Sequence, residues 1–102
     1  MEAFVYGLID PTTRLVRYVG QTRDVSKRYE QHCRGRQPCT GAWVRSLSTK
    51  PASVVLEVLS GPDVLRASFA CETKWIKRFR KTVINERTRD TCPAVWDILV
   101  NR

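Results

Sequence analysis

The sequence predicts an α+β (α/β) domain with its elements in the order β-β-α-α-β-α, and three observations carry the prediction. A continuous apolar run from Ala3 to Ile9 is followed by turn chemistry and a second β-rich stretch. A separate β-branched run, Ser53 to Leu59, lies in mid-chain. Two segments, each preceded by an aspartate (Asp24 and Asp63), have the spacing of amphipathic helices. At 102 residues the chain has the length of one domain. With 42% hydrophobic residues and three Trp it can build an ordinary core, so global disorder is excluded.

The first two elements are read as a hairpin. Asp10-Pro11-Thr12-Thr13 supplies the turn, and Leu15 to Gly20 resumes as a strand. Pairing Ile9 with Leu15 would place Tyr6 directly opposite Tyr18, with two phenols on one face. Asp24 is the expected N-cap of a helix running to about Cys33 and ended near Gly35. Helical spacing puts Val25, Arg28, Tyr29 and His32 on one side of it, and Lys27, Glu30 and Arg34 elsewhere. Thr40 to Leu47 reads as a second short helix, closed by Pro51. Ser53 to Leu59 is expected to be a buried strand, ended by Gly61-Pro62.

Asp63 opens the longest helix, expected to reach about Lys81. Its anomaly is Glu72, which shares a side with Leu65, Phe69, Trp75, Ile76 and Phe79, all within about 60° on a helical wheel. Lys74, Lys77, Arg78 and Lys81 lie beyond about 90°, with Arg80 at the border. A carboxylate amid apolar side chains is costly unless it is paired, metal-bound or protonated. It either forms an internal ion pair with Arg28 or Arg17, emerges at the sheet edge, or serves an active site. Beyond this helix, Pro93 is the expected first residue of a short helix over Ala94 to Val100.

The chain carries a formal charge of +8, with 18 Lys and Arg against 10 Asp and Glu. The excess falls in two blocks, with nine basic against two acidic side chains over residues 14–50 and seven against one over 74–89. Such blocks point to a polyanionic partner. No apolar run approaches the roughly 18–20 residues that span a bilayer, so no membrane partner is expected. Met1-Glu2-Ala3 lacks the basic-then-apolar start of a signal peptide, so a cytoplasmic or nucleoid-associated location is expected. Cys33, Cys39, Cys71 and Cys92 form no CxxC pair and are read as reduced, small apolar fillers.

Tyr6, Tyr18, Arg28, His32 and Glu72 come from the hairpin, the helix after it and a later helix that can converge on one sheet face. This set resembles the GIY-YIG nuclease family. Phe4-Val5-Tyr6 corresponds to the first triplet and Tyr18-Val19-Gly20 to the second, followed by Gln21-Thr22. Arg28 stands ten residues past Tyr18, His32 one helical turn later, Glu72 on a later helix and Asn85 just past it. The resemblance spans Phe4 to Asn85 and departs at Phe4, where the family usually has Gly.

The resemblance implies a small three-stranded antiparallel sheet flanked by helices, and a divalent-metal-dependent DNA endonuclease leaving 5′-phosphate and 3′-hydroxyl ends. It implies one Mg²⁺ or Mn²⁺ per site on Glu72, since such ions take hard oxygen ligands and keep most of their waters. Arg28 would offer a permanently charged fork to phosphate oxygens. Tyr6 would orient or deprotonate the attacking water, with Tyr18 supporting it and His32 relaying the proton, while Asn85 would hold the geometry. An unperturbed phenol titrates near about 10, so Tyr6 needs help to act as a base at neutral pH. Arg14, Arg17, Arg23, Lys27, Arg34, Arg36 and Arg45 form the first basic block near the expected site, and Lys77 and Arg78 the second, both suited to DNA phosphates. Family members usually gain specificity from an attached domain, so a partner or fused module, and a branched or structured DNA target, enter as expectations. A catalytically inactive nucleic-acid-binding module of the same fold is the alternative, and a small basic ribonucleoprotein component a further one.

Overall fold

β1 (Glu2–Ile9) is the middle strand of a three-stranded antiparallel sheet, between β2 (Val16–Thr22) and β3 (Ala52–Ser60). The computed structural model describes residues 2–84. Asn85 and the helix expected over Ala94 to Val100 lie outside the described residues. Helices α1 (Val25–Cys33) and α2 (Gly41–Ser46) come between β2 and β3, and α3 (Val64–Arg78) follows, in the predicted order.

β1 is apolar at nearly every position because both its faces are covered. Ala3, Val5 and Leu8 are fully buried and Tyr6 nearly so. Val5 joins Val19, Cys71, Ile76 and Val83 in the core between sheet and α3, each aliphatic side chain contributing roughly 1.5–3 kcal/mol on burial. By strand alternation Tyr6 faces the other way, toward α1.

The hairpin register differs from the expected one by two residues. Tyr6 pairs with Gly20 and Leu8 with Tyr18, and a bulge follows between Leu8 and Ile9, where the partner steps from Tyr18 to Val16. The cause lies in the turn. Asp10 accepts from the Thr12 and Thr13 backbone N–H groups, and Arg14 adopts the left-handed region at φ 62°. A shift of two leaves every side chain on its face, so the phenols still share one, diagonally displaced.

Asp24 caps α1 as expected, its carboxylate accepting from the Lys27 N–H at 3.0 Å. Gly35 ends the turn beyond it at φ 68°. Tyr29 fastens the helix to the start of β3 by donating to the Pro51 carbonyl at 2.7 Å.

Three expectations about the later elements are corrected. The strand expected to be buried is an edge strand: β3 pairs only with β1, and Val54, Val55 and Val58 are exposed. α3 ends at Arg78 rather than Lys81. Past it, Thr82 Oγ1 donates to the Val16 carbonyl at 2.7 Å and Val83 enters the core, which leaves Arg80 and Lys81 in the turns between. The buried residues of α3 are Val64, Ser68, Cys71 and Ile76. That stripe is rotated by roughly 50° from the one centred on Glu72, which therefore stands at its border. Leu65 and Phe69 fall on the solvent side.

Candidate active site

Tyr6, Tyr18, Arg28, His32 and Glu72 meet at one place. The Tyr6 hydroxyl and His32 Nε2 share a hydrogen bond of 2.7 Å, although 26 residues separate them. Tyr18 completes a cluster of three rings, its centroid 6.2 Å from Tyr6 and 5.1 Å from His32. The cluster depends on Gly20. A Cβ there would stand 2.6 Å from the Tyr6 hydroxyl oxygen and 2.9 Å from a Tyr18 ring carbon, so the second triplet ends in the one residue that leaves room for both phenols.

α1 delivers His32 because its inward side is the one read from the spacing: His32 is buried, Arg28 and Tyr29 half-buried, and Lys27, Glu30 and Arg34 exposed. The imidazole is held at both nitrogens, since Nδ1 also shares a 2.7 Å hydrogen bond with Thr40 Oγ1. Thr40 is fully buried, and its hydroxyl makes no capping bond to α2 because it is committed to His32. Sequence reading took Thr40 only as a helix start, and nothing in its spacing marked it as a partner of the histidine. A cavity of about 80 Å³ opens between Tyr18, Arg28 and His32 on one side and the Gln37–Thr40 segment on the other.

On α3, Glu72 stands close enough to Tyr6 and Tyr18 for its charge to act on both phenols. Burial pushes its carboxyl up to about 7, and the Gln21 backbone N–H draws it back only in part. The ion pair with Arg28 or Arg17 considered from sequence does not form; on the same helix Lys74 pairs with Glu57, at 2.8 Å. Gln21 acts twice, because its side-chain oxygen also accepts from Ser68 Oγ at 3.3 Å, joining β2 to α3 beside Glu72. The signal for Gln21 was its place directly after the second triplet.

The electrostatics follow from burial. Desolvation raises the Tyr6 phenol to about 12 against the opposing pull of the Arg28 guanidinium, with Glu72 adding to the rise. Tyr18 is raised further, first by burial and then by Tyr6 and Glu72. Burial holds His32 down to about 4, and the charge of Arg28 adds to that. At neutral pH the cluster therefore holds two protonated phenols, a neutral imidazole, a guanidinium and a carboxyl near its midpoint. Arg28 is braced by the Gln31 side-chain oxygen at 3.0 Å.

Among the described residues no three His, Cys, Asp or Glu side chains gather around a point. An ion here would rest on Glu72 and water. Its half-buried carboxylate, with no cationic partner among the described residues, suits a small hard cation whose charge would offset the desolvation.

The basic residues divide. Arg34 and Arg36, both exposed, precede the cavity-lining segment, and Lys27 and Arg23 are exposed at the start of α1. Arg14 sits in the hairpin turn, and Arg17, half-buried at the bulge, has a buried Nε with no hydrogen-bond partner among the described residues. Arg45, exposed on α2, donates to the Gly35 carbonyl. Lys77 is exposed on α3, while Arg78 and Lys74 lie over the Trp75 ring at 5.9 and 5.4 Å. Trp75 and Lys74 both donate to Glu57, which ties α3 to β3. Cys33 and Cys71 are free thiols.

The family model described as the GIY-YIG catalytic domain matches residues 2–87 of the chain. No curated protein and no solved structure matches it.

Proposed function

The chain belongs to the GIY-YIG nuclease family, and from that membership and the convergence of its site residues we propose that it is a divalent-metal-dependent DNA endonuclease. The observation that carries the proposal is Glu72, a half-buried carboxylate without a cationic partner among the described residues, whose field reaches the phenols of Tyr6 and Tyr18. A purely binding domain gains nothing from a carboxylate turned toward phosphate, which it would repel.

Hydrolysis of a phosphodiester forms a bond from water oxygen to phosphorus, breaks the bond to the leaving 3′-oxygen, and moves one proton off the water. Tyr6 stands to accept that proton only as it passes its own to His32 Nε2, because a phenol raised to about 12 is not a standing base. His32, held down to about 4, is neutral and able to accept at working pH. For that step Nδ1 carries the ring proton and donates it to Thr40 Oγ1, which fixes the tautomer. Arg28 presents fixed positive charge to the phosphate oxygens as negative charge grows there. Glu72 would hold one Mg²⁺ or Mn²⁺, which when bound supplies Lewis-acid polarisation of the phosphate and stabilisation of the leaving oxygen. The leaving 3′-oxygen takes its proton from solvent water, so the product ends are 5′-phosphate and 3′-hydroxyl.

The test is a Mg²⁺ and Mn²⁺ titration of plasmid and branched-DNA cleavage by the wild type, Glu72→Gln and Arg28→Ala. Metal-dependent nicking removed by both substitutions supports the nuclease. Tight DNA binding without cleavage at any metal concentration would replace it with a binding module of the same fold.

A further inference from the structure

Leu65 and Phe69 are 49% and 43% exposed, the large apolar side chains that α3 leaves in solvent. Both lie on the Glu72 side of the helix. Phe69 is about 4.5 Å and Leu65 about 10 Å up the axis from Glu72, offset by roughly 60° and 20° around it. Farther round the same surface come Arg66 and Lys77, both exposed. With the scissile phosphate held by Arg28 in the site beside Glu72, a strand drawn toward those two cations would therefore cross the Phe69 ring within about one or two nucleotides.

Building on the nuclease assignment, we propose that Phe69, with Leu65 beside it, stacks an unpaired base next to the scissile phosphate, so that the preferred substrate is DNA with a single-stranded break in pairing at the cut: a gap, flap or branch. In a continuous duplex each base already stacks on its neighbours and shows no face to an external ring. An unpaired base does, and stacking on an aromatic side chain is tolerant of sequence. The surface suits a nucleic acid better than a second copy of this chain. Two half-exposed side chains offer on the order of 200 Å², against about 800 Å² per partner in a stable interface. A body of charge +8 also repels itself.

The experiment has two arms. The first compares cleavage of a paired duplex with the same duplex carrying a gap or flap, for wild type, Phe69→Ala and Phe69→Trp. The expected wild-type preference is tenfold or more for the unpaired substrate, close to one for Phe69→Ala, and restored by Phe69→Trp. A wild type that cuts both equally, or a preference that survives Phe69→Ala, overturns the proposal while leaving the nuclease assignment intact. The second arm needs no cleavage: in EDTA, 2-aminopurine at the unpaired position is read on binding. Stacking should quench it with the wild type and not with Phe69→Ala. Equal emission from the two proteins rejects the proposal even if the chain proves not to cut. Dimerisation that Phe69→Ala abolishes, seen by sedimentation, would assign the patch to a second copy instead.

Discussion

Gly20 and Tyr6 are paired across the hairpin so closely that any side chain on the first would occupy the space of the second's hydroxyl, 2.6 Å from a Cβ. The glycine is required there for space rather than for backbone conformation. Gly20→Ala is expected to displace the phenol from His32 and lower cleavage tenfold or more, while destabilising the fold by about 1–3 kcal/mol. Cleavage assays beside thermal melts check it, and an alanine variant with wild-type rates would sever the link between Tyr6 position and catalysis.

Glu72 should weaken the fold in which it acts. Its carboxyl titrates near 7 in the folded chain and about 4.5 in the unfolded one, so the folded state binds more protons in between. Stability is then highest below about 4.5 and falls as pH rises to about 7. Glu72→Gln removes the penalty. Its melting temperature should exceed the wild type's by several degrees at pH 8 and match it at pH 4.5, while cleavage drops a hundredfold or more. Equal melting curves at pH 8 would place Glu72 in water.

The same titration should appear in activity. At subsaturating Mg²⁺ cleavage should climb with pH through about 7, as Glu72 gives up its proton, and the midpoint should move lower as the metal concentration rises. A midpoint indifferent to metal would assign the titration to another group.

Thr40 is expected to matter as much as the histidine it holds. Thr40→Val leaves Nδ1 of a buried ring unsatisfied at a cost of about 1–3 kcal/mol and frees the ring to choose the wrong tautomer, whereas Thr40→Ser keeps the hydroxyl. Cleavage should fall for valine and recover for serine. In acid, His32 acts with the opposite sign to Glu72. Its proton affinity is lower folded than unfolded, so the stability present above about 6.5 is lost as pH falls toward 4. Proton NMR of the single histidine measures this directly.

Lys77→Ala should weaken DNA binding and reduce its salt slope by about one phosphate contact without moving the cut site. A shifted cut position in mapped products would show that Lys77 aligns the strand at the reacting atoms.

The element order and the inward face of α1 could be read from sequence because they rest on local rules: Asp24 as a cap, Gly35 as a stop, and period 3.6 placing Arg28 with His32. The register could not, because it was set by one left-handed residue, Arg14, in a turn whose residues allow several lengths. The Glu72 anomaly was visible, yet the stripe around it was misplaced. Counting apolar side chains treated Leu65 and Phe69 as core, when buried Ser68, hydrogen bonded to the Leu65 carbonyl at 2.8 Å, takes the inward position. Thr40 became visible only with tertiary structure, since its role exists through a ring eight residues earlier.

Glu72 belongs to the last helix in the described order, whereas Tyr6, Tyr18, Arg28 and His32 all precede β3. During synthesis the phenols, the guanidinium and the imidazole therefore leave the ribosome well before the carboxylate. A half-made chain can attract nucleic acid through its first basic block but lacks the residue on which the proposed metal would rest. The position of one side chain along the chain thus withholds the proposed cutting activity until translation has passed the core that holds it.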